Sequence, residues 1–132
     1  MSDYLKPEMK TELQRVSVPG LAHVGDAVYE LMVRTWLCTV GASTAKNLHS
    51  RAVGYVSAKA QAEAADALIA LLDEEELAVF RRGRNAHLSS APRGSSFEEY
   101  HAATALETLF GYLYMNGRTG RLNELFTAIV EK

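Results

Sequence analysis

The sequence predicts an all-α protein, and three observations carry that expectation. Apolar residues recur three and four apart from Leu21 to Leu37 and again after Thr104, the spacing of a helix face. Asp73 with Glu76 and Ser96 with Glu99 have the form of capping boxes, each just ahead of a periodic run. No stretch alternates apolar and polar residues as a half-buried strand would. At 132 residues the chain has the length of one domain, 1–132, able to bury a core.

The elements are expected in the following order. Residues 1–20 form a lead-in, with Pro7 and Pro19 as breakers and a short helix from Glu8 to Val16 between them. A helix then turns Val24, Val28, Leu31 and Met32 inward and ends near Cys38, before Gly41. Beside that face run His23, Asp26, Glu30 and Arg34 as one polar stripe. Ser43 or Thr44 caps a helix to about Val53, and Gly54 interrupts it before an alanine-rich helix from about Tyr55 to Leu72. Asp73 opens a helix that Gly83 closes. From Arg84 to Ser95 the periodicity is lost in a Ser, Pro and Gly-containing loop, long enough to suggest function. Ser96 opens the next helix, Asn116-Gly117 ends it, and Leu122 to Val130 forms the last.

Composition excludes several classes. Apolar residues make up 48% and charged residues 23%, ordinary for a globular protein. Cys38 is the lone cysteine, so no internal disulfide is possible. The N-terminus does not have the form of a signal peptide, and no apolar run approaches the roughly 18 residues of a membrane span. A cytoplasmic location is the expectation. The net charge of −2 does not mark a nucleic-acid binder. Basic residues are nevertheless grouped: Arg81, Arg82, Arg84 and Arg93 around the loop, and Lys46, Arg51 and Lys59 earlier.

Asp26 and Glu107 are the residues on which chemistry is expected to centre. Gly25 precedes Asp26 inside a helical pattern, where glycine costs about 1 kcal/mol against alanine, so something is expected to approach the backbone closely there. Glu107 is the one charge from Thr104 to Tyr114, and a carboxylate in such surroundings needs a cation or a hydrogen-bonding partner. Together the two could bind a divalent metal. The competing readings are a capping or ion-paired Asp26 and a Glu107 in a buried salt bridge to arginine. Glu30 has a simple helix-surface partner in Arg34. His23, His49, His87 and His101 lack metal-ligand spacing, which argues against zinc. Arg81 and Arg82 complement the end of their own helix, whereas Arg84 and Arg93, on the loop, point to phosphate contact. Lys59 reads equally as solvated or phosphate-binding, and Tyr112 and Tyr114 as core or interface.

Gly25-Asp-Ala-Val-Tyr-Glu30, followed far downstream by Ala105-Leu-Glu-Thr-Leu-Phe-Gly111, resembles the catalytic domain of the ribonuclease III family. With Val56-Ser-Ala-Lys-Ala-Gln61 and Arg81-Arg-Gly-Arg-Asn-Ala86 added, the ordered set is closer still to the short Mini-ribonuclease III members. The resemblance runs from about Leu21 to the C-terminus. It departs from the larger enzymes at Pro19 and Ala22, where they carry glutamates, and at Thr104, where they carry an aspartate. With the resemblance reaching Lys132, the double-stranded-RNA-binding domain of the larger enzymes is not expected.

The resemblance implies an all-α endonuclease domain that forms a homodimer through its signature helix, its two sites cutting opposite strands of double-stranded RNA. It implies Mg²⁺ held by Asp26 and Glu107, with Mn²⁺ able to substitute, and hydrolysis leaving a 5′-phosphate and a 3′-hydroxyl. The implied substrate is the duplex stalk of precursor large-subunit (23S) ribosomal RNA. Lys46, Lys59, Arg82, Arg84 and Arg93 are the candidate RNA contacts. The alternative is a non-catalytic protein of the same fold that binds structured or ribosomal RNA, and a helical protein–protein adaptor is a third reading.

Overall fold

Helix starts in this chain are set by short side chains. Ser17, Thr44, Ser57, Asp73 and Ser96 each accept a hydrogen bond from the backbone N–H three residues on, at 2.8–3.2 Å. Each such cap is worth about 1 kcal/mol against alanine, because it satisfies a donor the helix cannot. The helices they open are α1 (Val18–Thr39), α2 (Ala45–Val56), α3 (Ala58–Leu68), α4 (Glu74–Arg84) and α5 (Phe97–Met115); α6 (Thr119–Val130) follows without a side-chain cap. The structure, a computed structural model, describes residues 3–9, 12–86 and 96–131. Among these there is no strand, as the all-α expectation requires.

Several boundaries differ from those read locally. Of the helix expected between the prolines, the described residues form a single turn, Leu13–Arg15, with extended backbone at Glu12 and Val16, and residues 10 and 11 lie outside the described residues; so short a segment cannot repay helix nucleation. The lead-in ends at Ser17, because Pro19 lies in the first turn of α1, where the missing N–H costs nothing. Gly54 does not interrupt α2. The break comes at Ser57, which ends one helix and caps the next. The alanine-rich helix stops at Leu68 and tightens into one further turn, Ile69–Leu71. The last helix starts at Thr119, a turn earlier than expected. Both capping boxes form as read, and Asn116 with Gly117, at φ +70°, ends α5. The loop expected from Arg84 onward begins after Arg84, and its residues 87–95, including His87 and Arg93, lie outside the described residues.

α5 is the axis of the fold. Its buried residues cover every side, from His101 through Leu106, Leu109 and Phe110 to Leu113, and α1, α3, α4 and α6 pack around it. The inward stripe of α1 is Leu21, Gly25, Tyr29, Val33 and Leu37. Val24, Val28 and Met32, expected inside, are half-buried, and Leu31 is 58% exposed. α1 is apolar over so wide an arc that periodicity alone does not choose the buried side. Tyr29 sits edge-on to Phe110 at 5.4 Å and donates its hydroxyl to the Tyr55 carbonyl at 3.1 Å, tying α1 to α2. Tyr112 and Tyr114 take structural roles, with hydroxyls on Glu75 and on the Tyr4 carbonyl.

One buried ion pair fastens α6 to the start of α4. Glu76, fully buried, closes its capping box on the Asp73 N–H and accepts two bonds from Arg121, both at 2.8 Å. Arg121 also donates to the Leu71 carbonyl. The guanidinium holds the Glu76 carboxyl below its usual range. Arg121→Ala leaves that charge buried and unpaired, so a loss of roughly 3 kcal/mol is expected in a urea titration at neutral pH. The loss should shrink in acid, where Glu76 protonates. A midpoint unchanged at neutral pH would show the pair to be dispensable.

Candidate active site

Glycines bring the two acids together. Gly25 on α1 and Gly111 on α5 face one another where the helices cross. A Cβ on Gly25 would lie 1.6 Å from the Glu107 carbonyl oxygen, and one on Gly111 would lie 1.9 Å from that of Leu21. The close approach expected at Gly25 is therefore made by the backbone of α5 itself. Asp26 follows Gly25, and Glu107 sits one turn before Gly111, so the crossing sets their side chains beside each other.

They line a cavity of about 320 Å³ with Val56, Ala58, Gln61, Tyr100, Ala103 and Thr104. Glu107 is half-buried and Asp26 exposed. Burial, then the negative charge of Asp26 and the hydrogen bond with it, push the Glu107 carboxyl up to about 8, against a smaller opposing hydrogen bond from Gln61. A carboxyl raised that far favours its protonated form at neutral pH, with Asp26 as its hydrogen-bond partner. The salt bridge to arginine is not formed: among the described residues its charged neighbour is Asp26. Asp26 lies in mid-helix, caps nothing, and makes no ion pair among the described residues. Glu30 pairs with Arg34 at i+4 and has a structural role. Thr104 stands at the cavity wall with its hydroxyl committed to the Tyr100 carbonyl at 3.0 Å.

Two paired carboxylates with no basic side chain paired to them among the described residues suit a divalent metal of the Mg²⁺ type, which takes hard oxygen ligands. Among the described residues no third histidine, cysteine or acid gathers with them. Gln61, which stood out in the sequence only as part of a motif, adds a buried amide to the wall, and its Oε1 has no hydrogen-bond partner. The donor set fits a hard cation.

The expected RNA contacts are dispersed. Lys59 and Arg84 share a second depression of about 350 Å³, along with Glu63, Asp66, Glu98 and Glu99. It adjoins the acidic cavity through the consecutive pairs Ala58–Lys59 and Glu99–Tyr100. Lys46 is exposed at the start of α2 and Arg82 on α4, while Arg93 lies outside the described residues. Arg84 was expected on a loop, where no helix end would account for it. It is the last residue of α4, beside Arg81 and Arg82, and complements that helix's C-terminal carbonyls. Gly83 does not close the helix. It is buried, and a Cβ there would lie 2.5 Å from Thr108 Oγ1.

The ribonuclease III domain family matches residues 20–118, from the first turn of α1 to just past α5, and so spans both acids. The chain belongs to the ribonuclease III family. Within it, the chain is 45% identical over 114 residues to the Mini-ribonuclease 3 of Brevibacillus brevis, covering 84% of this chain and 85% of that one. It is 40% identical over 115 residues to the Mini-ribonuclease 3 of Enterococcus faecalis, covering 86% and 87%. A crystal structure of a protein from Fusobacterium nucleatum matches with a TM-score of 0.85 at 28% identity, over 92% of this chain and 100% of that one. The Mini-ribonuclease 3 branch is thus the one to which the chain is assigned.

Proposed function

We propose that this protein is a divalent-cation-dependent endoribonuclease that hydrolyses double-stranded RNA, with precursor large-subunit (23S) ribosomal RNA as its substrate. The observation that carries this reading is the juxtaposition of Asp26 and Glu107 on one cavity, with no basic side chain paired to either among the described residues. Asp26 and Glu107 hold Mg²⁺, for which Mn²⁺ substitutes. Bound there, the cation supplies Lewis acidity, lowering the pKa of a water and offsetting charge on the phosphate. The chain's own part is to give up the Glu107 proton and to keep both carboxylates in place across the Gly25–Gly111 crossing. Because that proton leaves on loading, cation affinity should rise with pH through about 8. Lys59, beside the cavity, and Arg84 engage backbone phosphates, with Lys46, Arg82 and Arg93 extending the contact. Such binding weakens steeply with salt.

The working form is a homodimer through α1. Leu31 stands 58% exposed on that helix, and Val24, Ala27 and Val28 line one depression with it and with Leu5. Among the described residues no helix is long and apolar enough to cross a membrane, and the protein acts in the cytoplasm.

The test is incubation of purified protein with a long RNA duplex, with Mg²⁺ and with chelator, beside Asp26→Asn. Cutting that requires both the cation and Asp26 is the expected result. Salt-sensitive binding without any cutting would favour the non-catalytic RNA-binding alternative.

A further inference from the structure

Gln61 lies on α3, 3% exposed, and lines the same cavity as Asp26 and Glu107. Its Nε2 donates to the Val56 carbonyl at 3.1 Å, and the amide also hydrogen-bonds Glu107. The nitrogen side is therefore occupied, while the buried Oε1 has no partner. A buried acceptor left unpaired costs about 1–3 kcal/mol, and such atoms persist where something from outside the chain meets them. The surroundings narrow what that is. Asp26 and Glu107 line the same cavity, and a neutral amide oxygen together with carboxylates is a donor set for a hard divalent cation.

We propose that Gln61 Oε1 is the third protein ligand of a divalent-cation site whose other ligands are Asp26 and Glu107. This rests on the reading of those two acids as the cation site. Two carboxylates balance the charge of a dication, and a neutral third donor adds coordination without adding repulsion towards an RNA phosphate. The Nε2 bond to Val56 restrains the amide, so that its nitrogen is engaged and its oxygen is not. Thr104, another polar residue on that wall, already donates its hydroxyl to the Tyr100 carbonyl.

The experiment measures Mn²⁺ affinity by water-proton relaxation for the wild type, Gln61→Met and Asp26→Asn, with melting of each variant in chelator as the check on folding. In parallel, the Gln61 side-chain carbonyl resonance of the wild type is followed by carbon NMR during Mg²⁺ titration. The expected result is Mn²⁺ binding weakened about tenfold or more in Gln61→Met, with a Gln61 carbonyl resonance that moves as Mg²⁺ is added. Wild-type affinity in Gln61→Met, with Asp26→Asn impaired, overturns the proposal and leaves the carboxylate site standing. Weakened binding with an unmoved resonance makes Gln61 a positioning residue for Glu107 and likewise overturns it. Wild-type affinity in Asp26→Asn would instead remove the reading on which the proposal rests.

Discussion

Glu107→Gln is expected to abolish RNA cleavage while making the protein more stable at alkaline pH. Glutamic acid ionises near 4.5 when free of the fold, and burial with Asp26 lifts Glu107 to about 8. Between those values the folded state keeps a proton that the unfolded state has released. The stabilisation is therefore complete below about pH 4.5 and is lost as pH rises through 8. Glutamine resembles the protonated acid at every pH. The variant and the wild type should match closely near pH 4 and diverge by up to about 2–3 kcal/mol by pH 9, a figure discounted for the partial exposure of the site. Urea titrations in chelator across that range are the measurement, and a difference that stayed constant with pH would refute the retained-proton account. If the proposed cation site is correct, Mg²⁺ should reverse the order, because it would bind the wild-type carboxylates in the folded state alone. Cleavage should fall roughly a thousandfold or more, since a cation at the phosphate supplies several kcal/mol of charge stabilisation.

How much of this was legible depends on whether the deciding contact is local. Asp73 with Glu76 and Ser96 with Glu99 were readable because a capping box is complete within four residues. Glycines were not, because their meaning lies across the fold. Gly54 looks like a breaker, yet α2 runs through it, and a Cβ there would stand in open space. Gly83 looks like a helix end yet is a packing glycine against Thr108. The buried arc of α1 was misjudged for the same reason: Leu31 and Val33 are equally apolar, and only the position of α5 puts Val33 inside.

The candidate site shows the same division. Glu107 could be named because a carboxylate in an apolar helix announces an unmet need, and Asp26 because a glycine beside an acid inside a helical pattern announces a close approach. Gln61 carries no charge and sits in an alanine-rich helix, so its burial and its unpaired oxygen appear only once α3 is packed on α5. Arg84 reads locally as a loop residue because Gly83 has the form of a helix end, whereas α4 runs through Gly83 and ends on Arg84.

Gly25→Ala is expected to be among the most damaging single-methyl additions available to this chain. The new Cβ would meet the Glu107 carbonyl oxygen at 1.6 Å, its carbon at 2.5 Å and the Gly111 nitrogen at 2.7 Å. All three are backbone atoms of the central helix, so no rotamer change can relieve them, and α1 must move away from α5 as a body. That opens the interface holding Tyr29 against Phe110 and draws Asp26 from Glu107. Overpacking usually costs about 1–3 kcal/mol, and with backbone on both sides of the clash a loss of roughly 4–5 kcal/mol is expected. Gly54→Ala is the control, since it adds the same methyl in open space within α2 and should gain about 0.5–1 kcal/mol from helix propensity. Urea unfolding of the two variants beside the wild type separates packing from propensity. A Gly25→Ala variant within 1 kcal/mol of the wild type would mean that α1 and α5 part at little cost. If such a variant also cut RNA normally, the close crossing would not be what holds the two carboxylates in register.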